Sequence, residues 1–110
     1  MLVLFDQGTP VGIRDSLQIN GHVVKTARQQ GWDTLLNGEL LRVAEEAGFD
    51  VLLTTDKNLV YQQNLSNRKI AIVVLGQTRW SLIQPMLETI AASVNDAKAG
   101  SYTVIQIPLE

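Results

Sequence analysis

Apolar runs alternate with amphipathic segments along the whole chain. Runs rich in apolar and β-branched residues predict five strands, at residues 2–5, 22–27, 49–54, 70–75 and 102–107. The segments between them predict helices over residues 10–20, 37–47 and 58–63, and a long helix that starts between 81 and 85 and ends at Gly100. This alternation predicts an α/β fold, a three-layer α/β/α sandwich around a central parallel five-stranded sheet.

Start signals locate the first two helices. Thr9 precedes Pro10, and a hydroxyl cap followed by proline at the first helical position is typical of a helix start. The residues of this helix that are expected to face the core are Val11, Ile13 and Leu17. Asn37 is a candidate N-cap of the second helix, and Glu39 lies in its first turn, where the helix dipole favours an acidic side chain.

Length, charge and composition limit the class of protein further. The 110 residues predict one domain, residues 1–110, with a single modest core. A formal net charge of −2 excludes a strongly basic nucleic-acid coat, so any contact with nucleic acid must be local. With no cysteine and one histidine, disulfides, thiolate zinc sites and multi-histidine metal sites are excluded. Since no apolar run reaches the ~20 residues that span a bilayer, and no signal peptide is expected, the sequence predicts a cytoplasmic protein without a membrane partner.

Acidic residues follow two of the predicted strands directly. Asp6 follows the first strand and Asp56 the third, and the helix that begins near Glu39 leads into that third strand. The carboxyl ends of parallel strands lie at one edge of a sheet, and a right-handed crossover starts its helix at the same edge. We therefore expect the three carboxylates to converge, where such hard oxygen ligands suit Mg²⁺ or Mn²⁺. The alternative for each acid is a structural role, as a turn former or a helix-dipole residue.

Three blocks of the sequence carry recognisable motifs. They are Leu-Phe-Asp-Gln-Gly-Thr-Pro at 4–10, Gly-Trp-Asp at 31–33 with Asn-Gly-Glu-Leu-Leu at 37–41, and Leu-Thr-Thr-Asp-Lys-Asn-Leu at 53–59 with Gln-Gln-Asn-Leu at 62–65. In this combination the chain resembles the PIN-like domains, and more narrowly their small bacterial branch, which is thought to include toxins of toxin–antitoxin pairs. The resemblance covers nearly the whole chain. It implies a five-stranded parallel sheet in the order 3-2-1-4-5, divalent-metal-dependent ribonuclease activity and an antitoxin protein as partner.

The functional positions of that family map onto this chain in part. Asp6 and Asp56 match the acids of its first and third strands, which implies a role for both in metal binding and catalysis. Where many relatives carry an aspartate this chain has Asn37, and Glu39 is the nearby carboxylate that remains. The fourth acid of typical members would follow the strand at 70–75, but residues 76–79 contain none. This departure leaves two alternatives open, a single metal ion or no activity.

Three functions from different classes follow as hypotheses. The leading one is a ribonuclease in which Asp6, Glu39 and Asp56 hold Mg²⁺ or Mn²⁺ and a metal-activated water attacks the RNA phosphodiester. Lys57 and Arg79 lie beside the same edge as candidate phosphate contacts, and apolar helix faces favour a homodimer. The second is a degenerate PIN-like module that binds a protein partner or RNA. The third, a phosphoacceptor receiver domain, is disfavoured because one acid rather than a pair follows the first strand, and the fifth strand has no lysine.

Overall fold

The computed structural model describes residues 1–56 and 68–108, except the side chain of Asn37. The strands in this part of the chain are β1 (Leu2–Phe5), β2 (Val23–Thr26), β3 (Val51–Thr54), β4 (Ala71–Leu75) and β5 (Tyr102–Ile105). The helices are α1 (Ile13–Ile19), α2 (Asn37–Glu46), α3 (Trp80–Ile83) and α4 (Leu87–Asn95), with a 3₁₀ turn over Gln84–Met86. The helical turn predicted at 58–63 lies outside the described residues. No helix within residues 1–56 or 68–108 combines the length and the apolar character that crossing a membrane requires.

The strands form one all-parallel sheet in the order β2-β1-β3-β4-β5. The predicted class, an α/β fold around a central parallel five-stranded sheet, is confirmed. Counted along the chain, β1 pairs with β2 and β3, with Val3 opposite Val51 and Phe5 opposite Leu53. The order 3-2-1-4-5 that the resemblance implies would instead place β4 beside β1, where the structure has β3. The backbone pairing of β1 with β3 brings the two acid-terminated strands side by side.

Helices cover both faces of the sheet, which gives the predicted three layers. Side chains alternate along each strand, so Val3 and Phe5 join one buried cluster with residues of α1 and α4, while Leu4 joins a second cluster with residues of α2. Strands β3 and β4 are buried along their whole length. Their near-continuous apolar sequences are what a parallel strand covered on both faces requires.

The first helix begins at Ile13 rather than at Pro10. Val11 lies in the turn before it and is 59% exposed, although the sequence predicted that it faces the core. The reason is that the Thr9 hydroxyl, predicted to cap the helix, bonds to the Asp6 carboxylate instead. The chain therefore makes a separate turn before α1 starts.

The start of α2 also differs by one residue from the prediction. Leu36, with an extended backbone, occupies the N-cap position predicted for Asn37, which is the first residue of the helix. Glu39 lies in the first turn, as expected. The helix is followed by Gly48, whose φ of +90° is typical of a glycine that ends an α-helix.

The predicted long helix is divided into α3, the 3₁₀ turn and α4. Pro85 lies at the start of the 3₁₀ turn, and proline interrupts a continuous α-helix because it lacks an amide hydrogen and its ring crowds the preceding turn. The apolar spacing still holds across the break, since Ile83, Ile90 and Val94 are all buried. The helix α4 ends at Asn95, five residues before the predicted end at Gly100.

Strands β2 and β5 form the two edges of the sheet. The exposed positions of β2 include Val23 and the charged Lys25. Strand β5 has the sequence Tyr-Thr-Val-Ile, without a charged residue, and exposes Val104. One edge strand, β2, therefore exposes a charged side chain, and the other, β5, has none.

Two glycines with positive φ allow the cost of a close contact with the backbone to be measured. Gly100 has φ +76° and a Cβ added to it would lie 2.8 Å from the Arg68 carbonyl oxygen, whereas Gly48 has φ +90° with open space around that position. Gly48→Ala should lower the free energy of unfolding by about 1 kcal/mol, the cost of a left-handed alanine. Gly100→Ala should cost more, because the backbone oxygen cannot move aside. Urea denaturation of both variants measures the difference, and equal losses would contradict a close approach of the backbone at Gly100.

Candidate functional site

Asp6 is held at the carboxyl end of β1 by contacts with β3. Its backbone N–H donates to the Leu53 carbonyl oxygen at 3.2 Å, which extends the β1–β3 pairing beyond the last strand residue. Its carboxylate accepts hydrogen bonds from the Thr9 hydroxyl at 2.9 Å, from the Gly8 N–H at 3.3 Å and from the Thr54 hydroxyl. These contacts fix the Asp6 side chain in one position.

Thr54 connects Asp6 with the second acid at this edge. The Thr54 side chain is buried, donates to the Asp6 carboxylate, and accepts the backbone N–H of Asp56 on its Oγ atom at 3.0 Å. Asp56 follows β3, and its charge acts on the Asp6 carboxyl. The structure therefore places both acids at the same edge of the sheet and within electrostatic reach of each other.

Burial raises the pKa of the Asp6 carboxyl above its ordinary value of 3.8. Its hydrogen bonds, that of Thr54 first, oppose the shift in pKa, and repulsion from Asp56 adds to it. The Thr9 hydroxyl lies 2.9 Å from both Asp6 Oδ1 and the Leu53 carbonyl oxygen, so one proton is shared between two acceptors, and its hydrogen bond lowers the Asp6 pKa less than that of Thr54 does.

Two open pockets adjoin at Asp6 and Gln7, which line both of them. The first, of about 180 Å³, is also lined by Ala27, Trp32, Asp33, Leu35 and Leu40. The second, of about 200 Å³, is also lined by Thr9, Val11, Thr26 and Arg28. The direction of strand addition reverses between β1 and β3, and open α/β sheets bind ligands in the crevice outside the strands at such a point. Asp6 therefore lies where this fold accepts a ligand.

Glu39, the third predicted ligand, does not join the pair. Its side chain is exposed and lines neither pocket beside Asp6. In residues 1–56 and 68–108, no group of three or more His, Cys, Asp or Glu side chains is arranged to hold a metal ion. The reason is helical periodicity, since α2 buries Leu40 and Leu41 and position 39 falls on the outer side of its first turn. The expected convergence of three carboxylates is therefore corrected to a pair, Asp6 and Asp56.

Three further residues, Asn37, Lys57 and Arg79, were expected from the sequence to support the acids. The side chain of Asn37 and the whole of Lys57 lie outside the described residues. Arg79 is exposed and directly precedes α3, and its backbone N–H donates to the Gln77 side chain at 3.2 Å. It lines neither of the pockets beside Asp6.

Several residues that surround Asp6 were not predicted from the sequence. Thr9 and Thr54, both buried, orient its carboxylate, and Asp33 and Arg28 line the two pockets beside it. A signal for the last two was available, because both follow the second predicted strand and so belong to the same edge of a parallel sheet. The threonines gave no such signal, since their role depends on contacts between distant segments.

The chain has no significant match to protein-family models, to curated proteins or to solved structures.

Because the pKa of Asp6 is raised, ionisation of this carboxyl lowers the free energy of unfolding. Between pH 3.8 and the raised pKa the native state binds more protons than the unfolded state, so the free energy of unfolding falls as the pH rises through this interval. Asp6→Asn removes that loss and should stabilise the metal-free protein at pH 7 by about 1 kcal/mol, or about 4 °C in Tm. Thermal unfolding from pH 3 to 8 should show the variant's advantage shrinking toward acid. A constant difference across that range would contradict this account.

Thr54→Val should raise the pKa of Asp6 further. The substitution keeps the β-branched shape and removes the hydrogen bond that lowers this pKa most. The pKa is measured by NMR titration of the side-chain carboxyl carbon. Thr103→Val on β5, which β3 and β4 separate from β1, is the matched control and should leave the Asp6 titration where it is. An unchanged Asp6 pKa in Thr54→Val would exclude the Thr54 contact as its determinant.

Proposed function

We propose that this chain is a PIN-like, divalent-metal-dependent ribonuclease in which Asp6 and Asp56 hold Mg²⁺ or Mn²⁺. The observation that carries the proposal is the pair of carboxylates at the ends of two neighbouring central strands, at the crevice between β1 and β3. The sequence motifs that resemble the PIN-like domains contain both acids.

The donor set at this edge suits a hydrated Mg²⁺. Such an ion is commonly held by one or two carboxylates and keeps several of its waters, so a cage of three acids is not required. A carboxylate offers about four lone pairs, and Asp6 uses those of Oδ1 for Gly8 and Thr9 and one of Oδ2 for Thr54. One position on Oδ2 is left for a cation. A cation also relieves the repulsion between Asp6 and Asp56.

The chain's own residues have defined tasks in this proposal. Thr54 and Thr9 hold the Asp6 carboxylate in position, and the β1–β3 pairing sets its distance from Asp56. When bound, the ion supplies activation of water and stabilisation of the leaving oxygen of a phosphodiester. The open pockets beside Asp6 leave room for a polymer to cross the edge of the sheet, since neither encloses a ligand. We place the reaction in the cytoplasm, with an antitoxin protein as partner and a homodimer as the oligomeric state.

A second candidate is a degenerate PIN-like module that binds RNA or a protein without cleaving. Two observations favour it: no three-acid group is present in the described part of the chain, and both Asp6 oxygens already accept hydrogen bonds. The two candidates differ in one property, the metal-dependent cleavage of RNA.

Cleavage of single-stranded RNA in Mn²⁺ tests the ribonuclease proposal. Asp6→Asn and Asp56→Asn should each lower the rate by about 100-fold or more, because each removes a carboxylate whose ion stabilises the transition state by several kcal/mol. Glu39→Gln should lower it less, because its side chain is exposed and outside both pockets. Glu88→Gln, an exposed first-turn acid of α4, is the control of equal charge change. An equal loss in Glu88→Gln would contradict the assigned site, and a wild type that cleaves no RNA would favour the binding module.

Mg²⁺ binding is measured separately from activity by the shift in Tm. The ion binds the folded pair of acids and so should raise the Tm of the wild type more than that of Asp6→Asn. Equal shifts would count against a metal at Asp6, whether or not RNA is cleaved.

A further inference from the structure

The turn that follows β2 is a closed, hydrogen-bonded unit beside Asp6. The Ala27 N–H donates to the Phe5 carbonyl oxygen and the Trp32 N–H to the Ala27 carbonyl oxygen, both at 2.8 Å. Thr26 and Gln29 exchange two hydrogen bonds of 3.0 Å between backbone and side chain. These bonds attach the turn to the residue that precedes Asp6, so the turn and the acid keep a fixed relation.

Residues of this turn line both of the pockets that share Asp6. Arg28 lines the second pocket and Trp32 the first, while Asp6 and Gln7 line both. Among the described residues that line the two pockets, Arg28 alone carries a positive charge. A cation and an aromatic ring therefore line adjoining pockets that share the Asp6 carboxylate.

Arg28 is in position to receive an anion. It is exposed, and among the described residues its guanidinium forms no ion pair, whereas Arg42 and Arg68 pair with Glu46 and Glu45. With a net charge of −2 and two acids at this edge, a polyanion needs a local cation to approach. Arg28, which is exposed and lines the second pocket, supplies this charge.

Trp32 offers an aromatic surface held in place from behind. Its ring packs edge-on against Phe49, with the ring centroids 5.8 Å apart, and the residue is half-buried. The pocket it lines, of about 180 Å³, is smaller than the ~300–1,000 Å³ that enclose a small-molecule ligand. Such a space suits one part of a larger ligand, such as a single base, with the remainder lying outside.

We propose that Arg28 and Trp32 hold single-stranded RNA across Asp6, with Arg28 on a backbone phosphate and Trp32 against a base. Phosphate contact by arginine and base contact by an aromatic side chain are the two elements of single-strand binding. The inference rests on the proposed ribonuclease function for its ligand class. It adds to that function two substrate-positioning residues on a turn that the metal site does not use.

Binding is tested without a divalent ion, so that it is separated from cleavage. The probe is a fluorescein-labelled oligouridylate of about 12 nucleotides, within the usual range of single-strand sites, and its anisotropy is followed in EDTA at several NaCl concentrations. Arg28→Gln should weaken binding about fivefold at low salt and reduce the slope of log K against log salt by about 0.7, the share of one phosphate contact. Arg28→Lys should restore the slope because it keeps the charge. Lys98→Gln, an equal charge change at an exposed position near the opposite edge, should leave the slope unchanged.

Trp32 is tested by its own fluorescence. The sequence has two tryptophans, so Trp80→Phe leaves Trp32 as the single emitter. Saturating oligouridylate should quench that emission through base contact. Unchanged emission at saturation would overturn the role of Trp32.

The outcomes separate this inference from the proposed function. A wild type that does not bind at low salt, or equal loss of slope in Arg28→Gln and Lys98→Gln, overturns the inference. Mn²⁺-dependent cleavage with a wild-type KM in Arg28→Gln overturns it too and leaves the ribonuclease function standing. Arg28-dependent binding without cleavage in Mn²⁺ supports the inference and overturns the ribonuclease function.

Discussion

The pairing of β1 with β3 is the contact on which the rest of the candidate site depends. Parallel ladders fix register residue by residue, and with Phe5 opposite Leu53 the next residues, Asp6 and Thr54, must meet. The Leu53 carbonyl oxygen completes the arrangement by receiving the Asp6 N–H. A slip of one residue would turn Thr54 to the other face of the sheet and remove the hydroxyl that holds the acid. The same apolar side chains that stabilise the sheet therefore also set the geometry of the carboxylates.

Opposing interactions act on the charge of the Asp6 carboxyl. Burial and the neighbouring Asp56 disfavour the charged form of Asp6, while the donors around its carboxylate favour it. A cation that binds such an acid would displace its proton into the solvent and would supply the compensating charge that water provides at an exposed carboxylate. The balance is maintained by Thr9 and Thr54, whose hydroxyls are buried and cannot be replaced by bulk water. Buried side chains therefore position this carboxylate as much as exposed ones do.

Strand positions were predictable from the sequence because parallel strands covered on both faces need near-continuous apolar residues, as in β3 and β4. The edge location of Asp6 and Asp56 followed from the same pattern. The exposed Val11 was not predictable, because the Thr9 hydroxyl that would have capped α1 bonds to a segment far along the chain. Nor was the separation of Glu39 from the pair, since the exact start of α2 decides which way position 39 faces.

The two edges of the sheet differ in their resistance to strand addition. Charged residues on an edge strand, lysine above all, discourage another chain from pairing with it. Lys25 gives β2 this protection, whereas β5 presents an uncharged, β-branched sequence with Val104 exposed. Aggregation of partly folded chains during expression would therefore begin at β5. The single substitution Val104→Lys would improve solubility and lies away from Asp6 and Asp56.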